Sequence, residues 1–186
     1  MLSLLSRGDI IAFPTGTTYG LAVNALDVAA LKRLTDLKGR GAEKAYMLLL
    51  PAKEVDTYVE LTEQEKTALQ AFADKPLTLL VKPRPMLEAL AKDGRAGVRT
   101  PDHPFTKELV GMLKFPVTAT SANRSGEPPA SSVEELMKAF PDASFMAVDG
   151  GTLPKRKPST VASWNNGKWE IVREGDVLLK DLSRIS

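Results

Sequence analysis

Residues 9–20 read DIIAFPTGTTYG, and the change of character halfway along this stretch decides the fold. The run 9–13 is bounded by Gly8 and Pro14 and is apolar at consecutive positions, as a strand buried on both faces requires. The segment PTGTTYG that follows, with three threonines and two glycines, reads as a turn at the strand's end. Beyond it, Asp27 stands as the N-cap of a helix over 28–37, where Leu31, Leu34 and Leu37 recur at helical spacing and deliver Lys38 at the C-terminal end. The run YMLLL at 46–50, stopped by Pro51, repeats the first signature and reads as a central strand.

The alternation persists along the rest of the chain. Thr62 and Glu65 have capping-box spacing at the start of a helix over 62–73, and Ser132 with Glu135 repeats that pattern for a helix over 132–140. Strands are expected at 77–81, 97–99 and 117–120, with a short helix at 86–91 and a further helix at 106–113. Three late strands fall at 145–148, 160–164 and 169–172, the last two joined by Asn165-Asn166-Gly167, which carries hairpin chemistry. Hairpins among alternating helices predict an α/β chain of α+β type, a twisted mixed parallel/antiparallel sheet flanked by helices. With 186 residues, 43% of them hydrophobic, the expectation is one core and a single domain over 1–186.

Composition removes several classes of function. A net charge of +2, from 25 basic and 23 acidic residues, is too small for nucleic-acid binding by bulk electrostatics, so any RNA contact must be a local patch. The absence of cysteine excludes disulfides, thiolate metal sites and cysteine nucleophiles, and fits a cytoplasmic location. One histidine disfavours multi-histidine metal sites and triads with a spare base. No apolar run reaches the 18 or so residues of a spanning helix, and no secretory signal is recognisable, so Met1 is expected to begin the mature domain and no membrane partner is expected.

Four stretches at strand ends carry the chemistry. PTGTTYG can converge amides and hydroxyls on a ligand, on which Tyr19 can pack. Lys38, Arg40 and Lys44 place three cations beyond a helix end, suited either to the helix dipole at a solvated surface or to a triphosphate. Loss of such surface cations is expected to spare the fold. TSANRSG at 120–126 is a hydroxyl- and amide-rich run after an apolar strand. In GVRTPDHP at 97–104, Arg99 reads two ways, as an anion binder or as half of an ion pair with Asp102. His103 reads as a loop-fixing residue rather than a base. The basic run Lys155 to Lys157 reads as a solvated turn in preference to a phosphate or RNA contact. No P-loop motif occurs.

Taken in order, PTGTTYGL, Lys38-Gly39-Arg40, VRTP at 98–101, Ser121-Ala122-Asn123, Ser159-Thr160 and Arg173-Glu174-Gly175 make the chain resemble the YrdC/Sua5 family of threonylcarbamoyl-AMP synthases over nearly its whole length. The resemblance implies a YrdC-like fold, in the short form without a second domain. It implies a nucleotidyltransferase that combines L-threonine, bicarbonate and ATP, with Mg2+, into L-threonylcarbamoyladenylate and pyrophosphate. The product would pass to a downstream tRNA threonylcarbamoyl transferase complex. By resemblance Lys38, Arg40, Ser121 and Asn123 form a polar tetrad at the nucleotide phosphates, joined on the ATP side by Lys44, Thr78 and Arg173. Thr17, Arg99, Ala122 and Ser159 face threonine, and no residue is assigned to a resident metal. The chain departs from the family pattern at Arg40-Gly41, at Lys44-Ala45-Tyr46 and at Asp74-Lys75-Pro76. Two alternatives remain: a module of this fold binding double-stranded RNA or tRNA, and a carbamoyl-transfer domain.

Overall fold

The computed structural model describes residues 1–39, 41, 46–51 and 54–185. After a short helix α1 (Leu2–Ser6), the apolar run forms β1 (Ile11–Pro14). Each face of β1 meets a different core. Ile11 and Phe13 pack in a cluster with Leu5, Leu109 and Val110, while Ala12 joins the larger cluster on the other side, the alternation a period of two imposes. PTGTTYG is more than a turn, because Tyr19 and Gly20 already belong to β2 (Tyr19–Ala22), antiparallel to β1 with Pro14 opposite Tyr19. The turn proper is 15–18, closed by Thr15, whose amide and hydroxyl both donate to the Thr18 carbonyl, at 3.0 and 2.7 Å.

Helix α2 (Val28–Lys38) is capped by Asp27, which accepts from the Ala30 amide at 2.9 Å. It stops where Gly39 turns left-handed at φ 57°, a conformation glycine adopts without a Cβ penalty. The chain then runs through β3 (Met47–Leu49), α3 (Val55–Tyr58), β4 (Val59–Glu60), α4 (Glu63–Ala71), β5 (Leu77–Pro83), β6 (Ala96–Arg99), α5 (Pro104–Met112), β7 (Val117–Thr118), β8 (Thr120–Ser121), α6 (Val133–Ala139), β9 (Met146–Ala147), β10 (Thr160–Asn165), β11 (Lys168–Arg173) and α7 (Leu179–Leu182). The expected helix at 86–91 is a 3-10 segment over Pro85–Leu90. The Thr62–Glu65 capping box is complete. The second box is only half made: Ser132 accepts from the Glu135 amide, but the Glu135 carboxylate turns to the amide and hydroxyl of Ser131.

The mixed parallel/antiparallel topology is as expected, but the strands divide into two sheets. One has the order β8-β2-β1-β9 and the other β11-β10-β5-β6-β3-β7, with β4 paired to β5. The pairs β1/β9, β3/β6 and β5/β10 are parallel. The expected strand at 117–120 is split because it passes from one sheet to the other. β7 pairs with β3, β8 pairs with β2, and the Ala119 amide between them donates to the Met47 carbonyl at 2.7 Å. Asn166 and Gly167 turn the β10–β11 hairpin at φ 49° and 78°, the left-handed pair that an Asn-Gly turn accommodates.

Helix α5 starts two residues before its expected position, because Pro104 fits the first helical turn and His103 caps it. The His103 Nδ1 accepts from the Phe105 amide at 3.2 Å, so the ring must be unprotonated there. Burial pushes the His103 pKa below its usual 6.5, against the opposing charge of Asp102. Between the two values the unfolded chain binds more protons than the folded one, so stability rises with pH across that window. Folding stability in urea titrations is therefore expected to be complete above about pH 6.5 and to decline as pH falls below it. His103→Asn, which keeps a capping acceptor without the titration, should flatten that part of the profile.

Candidate functional site

A cavity of about 750 Å³ opens where the two sheets meet. The strands beneath it are ordered by register. Arg99 of β6 lies opposite Thr78 of β5, Thr78 opposite Val161 of β10, and Val161 opposite Arg173 of β11. Three strand spacings, roughly 14 Å, therefore separate the backbones of Arg99 and Arg173, and only residues of arginine's length can bring their charges together across the row. Burial, and then the neighbouring Arg99 charge, lower the Arg173 pKa from its ordinary range. Ser159, just before β10, holds Arg173. The Arg173 Nε and Nη2 donate to the Ser159 carbonyl at 3.1 and 2.9 Å, and Nη2 also donates to Ser159 Oγ at 3.0 Å.

Gly175 explains the spacing of the Arg173-Glu174-Gly175 element. A Cβ there would lie 2.4 Å from the Pro158 carbonyl oxygen and 2.5 Å from the Thr160 amide, so the backbone of 173–175 can cross beside 158–160 only without a side chain. Thr160 seals the crossing, its hydroxyl donating to the Val177 carbonyl at 2.8 Å and accepting from the Val177 amide at 3.0 Å.

The opposite end of the cavity is built on Lys38. Although it ends a helix, its side chain is turned inward and the residue is only 3% exposed. The ammonium donates to the carbonyls of Ser121 and of Asn123, the latter at 2.8 Å, and lies 3.4 Å from Asn123 Oδ1. The Ser125 amide returns a bond to the Lys38 carbonyl at 2.7 Å. Within the loop, Ser121 Oγ donates to Asn123 Oδ1 at 2.5 Å, and Asn123 Nδ2 donates to the carbonyls of Arg124 and Glu127 at 2.8 and 2.7 Å. Asn123 therefore sits with both ends of its amide fixed at the cavity wall.

Of the residues singled out in the sequence, Lys38, Ser121, Asn123, Thr17, Arg99, Ser159 and Arg173 line the one cavity. Thr78 and Ala122 do not. Both are fully buried, Thr78 beneath Ser159 with their hydroxyls 3.0 Å apart. The backbone of Ala122 is spent on Tyr19 and Ala130. Arg40 and Lys44 lie outside the described residues. The expectation that losing Lys38 would spare the fold is corrected by its burial. Arg99 resolves its two readings by combining them, since it lines the cavity and also pairs with Asp102. Tyr19 borders the cavity but is fully buried in the larger core, and its hydroxyl accepts from the Gly150 amide at 2.8 Å and donates to the Gly151 carbonyl at 2.9 Å. It thus anchors the loop from which Arg156 reaches the cavity. Lys92 also lines the cavity, with no motif around it to mark it in the sequence.

A family model, Sua5_yciO_yrdC, with the description "Telomere recombination", matches residues 3–175. A threonylcarbamoyl-AMP synthase of Haemophilus influenzae is 31% identical over 178 residues, which cover 92% of this chain and 95% of the relative. The solved structure of Sua5 from Pyrococcus abyssi complexed with L-threonine superposes with a TM-score of 0.88 at 27% identity, over 99% of this chain and 55% of that one. The chain thus spans about half the length of that relative. Full-length HypF in its phosphate- and nucleotide-bound form matches with a TM-score of 0.81 at 28% identity, over 92% of this chain and 28% of that one.

Because Lys38 satisfies two carbonyls in a buried setting, Lys38→Ala is expected to destabilise the protein by about 1–3 kcal/mol, the cost of leaving such groups unpaired. Equilibrium unfolding in urea measures this, and an unchanged midpoint would contradict the structural role.

Proposed function

This chain belongs to the Sua5/YciO/YrdC family, and on that premise we propose that it is a threonylcarbamoyl-AMP synthase. The reaction condenses the amine of L-threonine with bicarbonate, losing water, to give a carbamate. A carbamate oxygen then attacks the α-phosphorus of ATP, the bond from that phosphorus to the bridging oxygen breaks, and pyrophosphate leaves. The adenylate serves a downstream transferase complex that modifies adenosine beside the tRNA anticodon, and the cytoplasm is the compartment this role requires.

The observation that carries this reading is a single cavity with two polar ends of different make. At one, Lys38 organises Ser121 and Asn123. At the other, Arg99 and Arg173 stand with Thr17 and Ser159. The first end suits nucleotide phosphates and the second a carboxylate, with the carbamate formed between them; Arg173, expected on the ATP side, is read at the second end because Ser159 holds it there. Such a reaction asks for positioning and charge stabilisation rather than a nucleophilic side chain. Fixed charges act strongly in a part-buried site because water screens them less there.

Within this assignment, the ammonium of Lys38 holds the two carbonyls of the 121–123 loop and adds positive charge behind them. Ser121 and Asn123 then present a fixed polar edge to the phosphates. Arg40 and Lys44 are assigned to the same phosphates on the family pattern alone. Thr78 acts through Ser159, and Ala122 through its backbone, which fixes the loop's path. A magnesium ion would enter as a companion of the nucleotide phosphates, shielding their charge. No helix among the described residues is long and apolar enough to cross a membrane.

Purified protein supplied with ATP, magnesium and bicarbonate should release pyrophosphate when L-threonine is added, and far less with serine or valine. Asn123→Ala, which releases the 121–127 loop that the amide ties down, should lower that rate by about 100-fold, the cost of misplacing reacting groups by about 1 Å. Release that ignores threonine but follows carbamoyl phosphate would instead favour a carbamoyl-transfer reading. No release, with salt-sensitive binding of duplex RNA, would favour the RNA-binding one.

A further inference from the structure

We propose that Asp102 is a positioning residue for the substrate amino acid, holding Arg99 so that the unoccupied part of its guanidinium meets the threonine carboxylate. The inference rests on the reading of the cavity as a threonine-activating site. Asp102 belongs to the connection between β6 and α5, and its side chain is only 2% exposed. One nitrogen of Arg99, Nη2, makes every hydrogen bond that side chain forms to described residues: to Asp102 Oδ1 at 3.1 Å, to Asp102 Oδ2 at 3.4 Å and to Thr17 Oγ1 at 3.2 Å. Nε and Nη1 donate to no described residue, although the side chain is only 10% exposed and lines the cavity. A guanidinium carries five N–H donors in a planar fork. No buried side-chain nitrogen or oxygen among the described residues lacks a hydrogen-bond partner, so the donors on Arg99 Nε and Nη1 open to the cavity, where a ligand oxygen can take them.

The seat for Asp102 is cut into the other sheet's turn. A Cβ on Gly16 would fall 1.9 Å from Asp102 Oδ2 and 2.5 Å from its Cγ, and Gly16 is not among the glycines with positive φ. Its lack of a side chain is therefore steric in purpose. The 15–18 turn closes over the Asp102 carboxylate, and Thr17 from that turn bonds the same Arg99 nitrogen. Three residues from two sheets, Gly16, Asp102 and Thr17, thereby determine the orientation of one guanidinium.

Asp102 cancels the charge of Arg99 itself, while Arg173, its pKa lowered first by burial and then by the Arg99 charge, and Arg156 and Lys92 keep the cavity lining cationic. Arg99 therefore contributes a directional fork of donors, which meets the two oxygens of one carboxylate in parallel.

Asp102→Asn keeps the volume and an acceptor for Arg99 but removes the charge. In calorimetric titration with L-threonine its affinity should fall about tenfold or more, as expected for loss of one well-aligned charged contact. In steady state its KM for L-threonine should rise by a similar factor, with the KM for ATP unchanged. Gly16→Ala, which displaces the same carboxylate from the other side, should reproduce this split. The double variant should be no worse than the more affected single one, since both act on one contact. Equal rises in both KM values, or a lower Tm with threonine binding intact, would reduce Asp102 to a structural ion pair and overturn the proposal. A wild-type protein that binds threonine while Asp102→Asn binds it equally well overturns this inference alone. A wild-type protein that binds no threonine overturns the functional reading with it.

Discussion

The buried ammonium of Lys38 is the constraint on which the site depends. A lysine at a helix C-terminus ordinarily extends into water and complements the helix dipole. Here it turns inward and donates to two carbonyls of the 121–123 loop, while the Ser125 amide bonds back to the Lys38 carbonyl. Burying a charge is costly unless hydrogen bonds replace the lost water, and these carbonyls supply them. The bonds run both ways across more than 80 residues of sequence, so the end of α2 and the exit of β8 cannot move independently. Ser121 and Asn123 owe their fixed placement at the cavity edge to this exchange.

The path of residues 117–121 brings that loop to the right place. A strand that leaves one sheet and enters the other gives up continuous pairing at Ala119, and its neighbours compensate. Thr118 bonds Val23 through both its amide and its hydroxyl, and the Ala119 amide bonds Met47. The crossing ties the two sheets together beside the cavity, and the residues after it emerge at its Lys38 end. Across the larger sheet, register alone lines up Arg99, Thr78, Val161 and Arg173. Glycines at 16 and 175 then allow the close backbone approaches that hold each arginine's partner in place.

The resulting apparatus works by geometry. Its polar side chains are held by the fold before any substrate arrives: Asn123 by two carbonyls, Arg173 by Ser159, Arg99 by Asp102 and Thr17. Preorganised charges of this kind need little rearrangement as negative charge moves during reaction. The scarcity of nucleophiles in the composition and the density of fixed donors in the cavity are consistent with one another. His103, the one imidazole, serves as a helix cap.

The sequence by itself determined the elements whose signals are local. Continuous apolar runs marked β1, β3 and β5; side-chain caps marked α2 and α4; Asn166-Gly167 marked the β10–β11 hairpin. The ordered motifs also marked the loops that line the cavity. Residues 19–22 escaped because YGLA, a stretch of four residues directly after a hydroxyl-rich turn, has no period of its own, and β2 exists only through its pairing with β1 and β8. The division into two sheets, the inward turn of Lys38, the placement of Thr78 behind Ser159 and the seating of Asp102 over Gly16 were decided by tertiary structure alone. Each depends on groups tens of residues apart, and a contact of that kind leaves no periodicity, cap or turn signature in the chain that makes it.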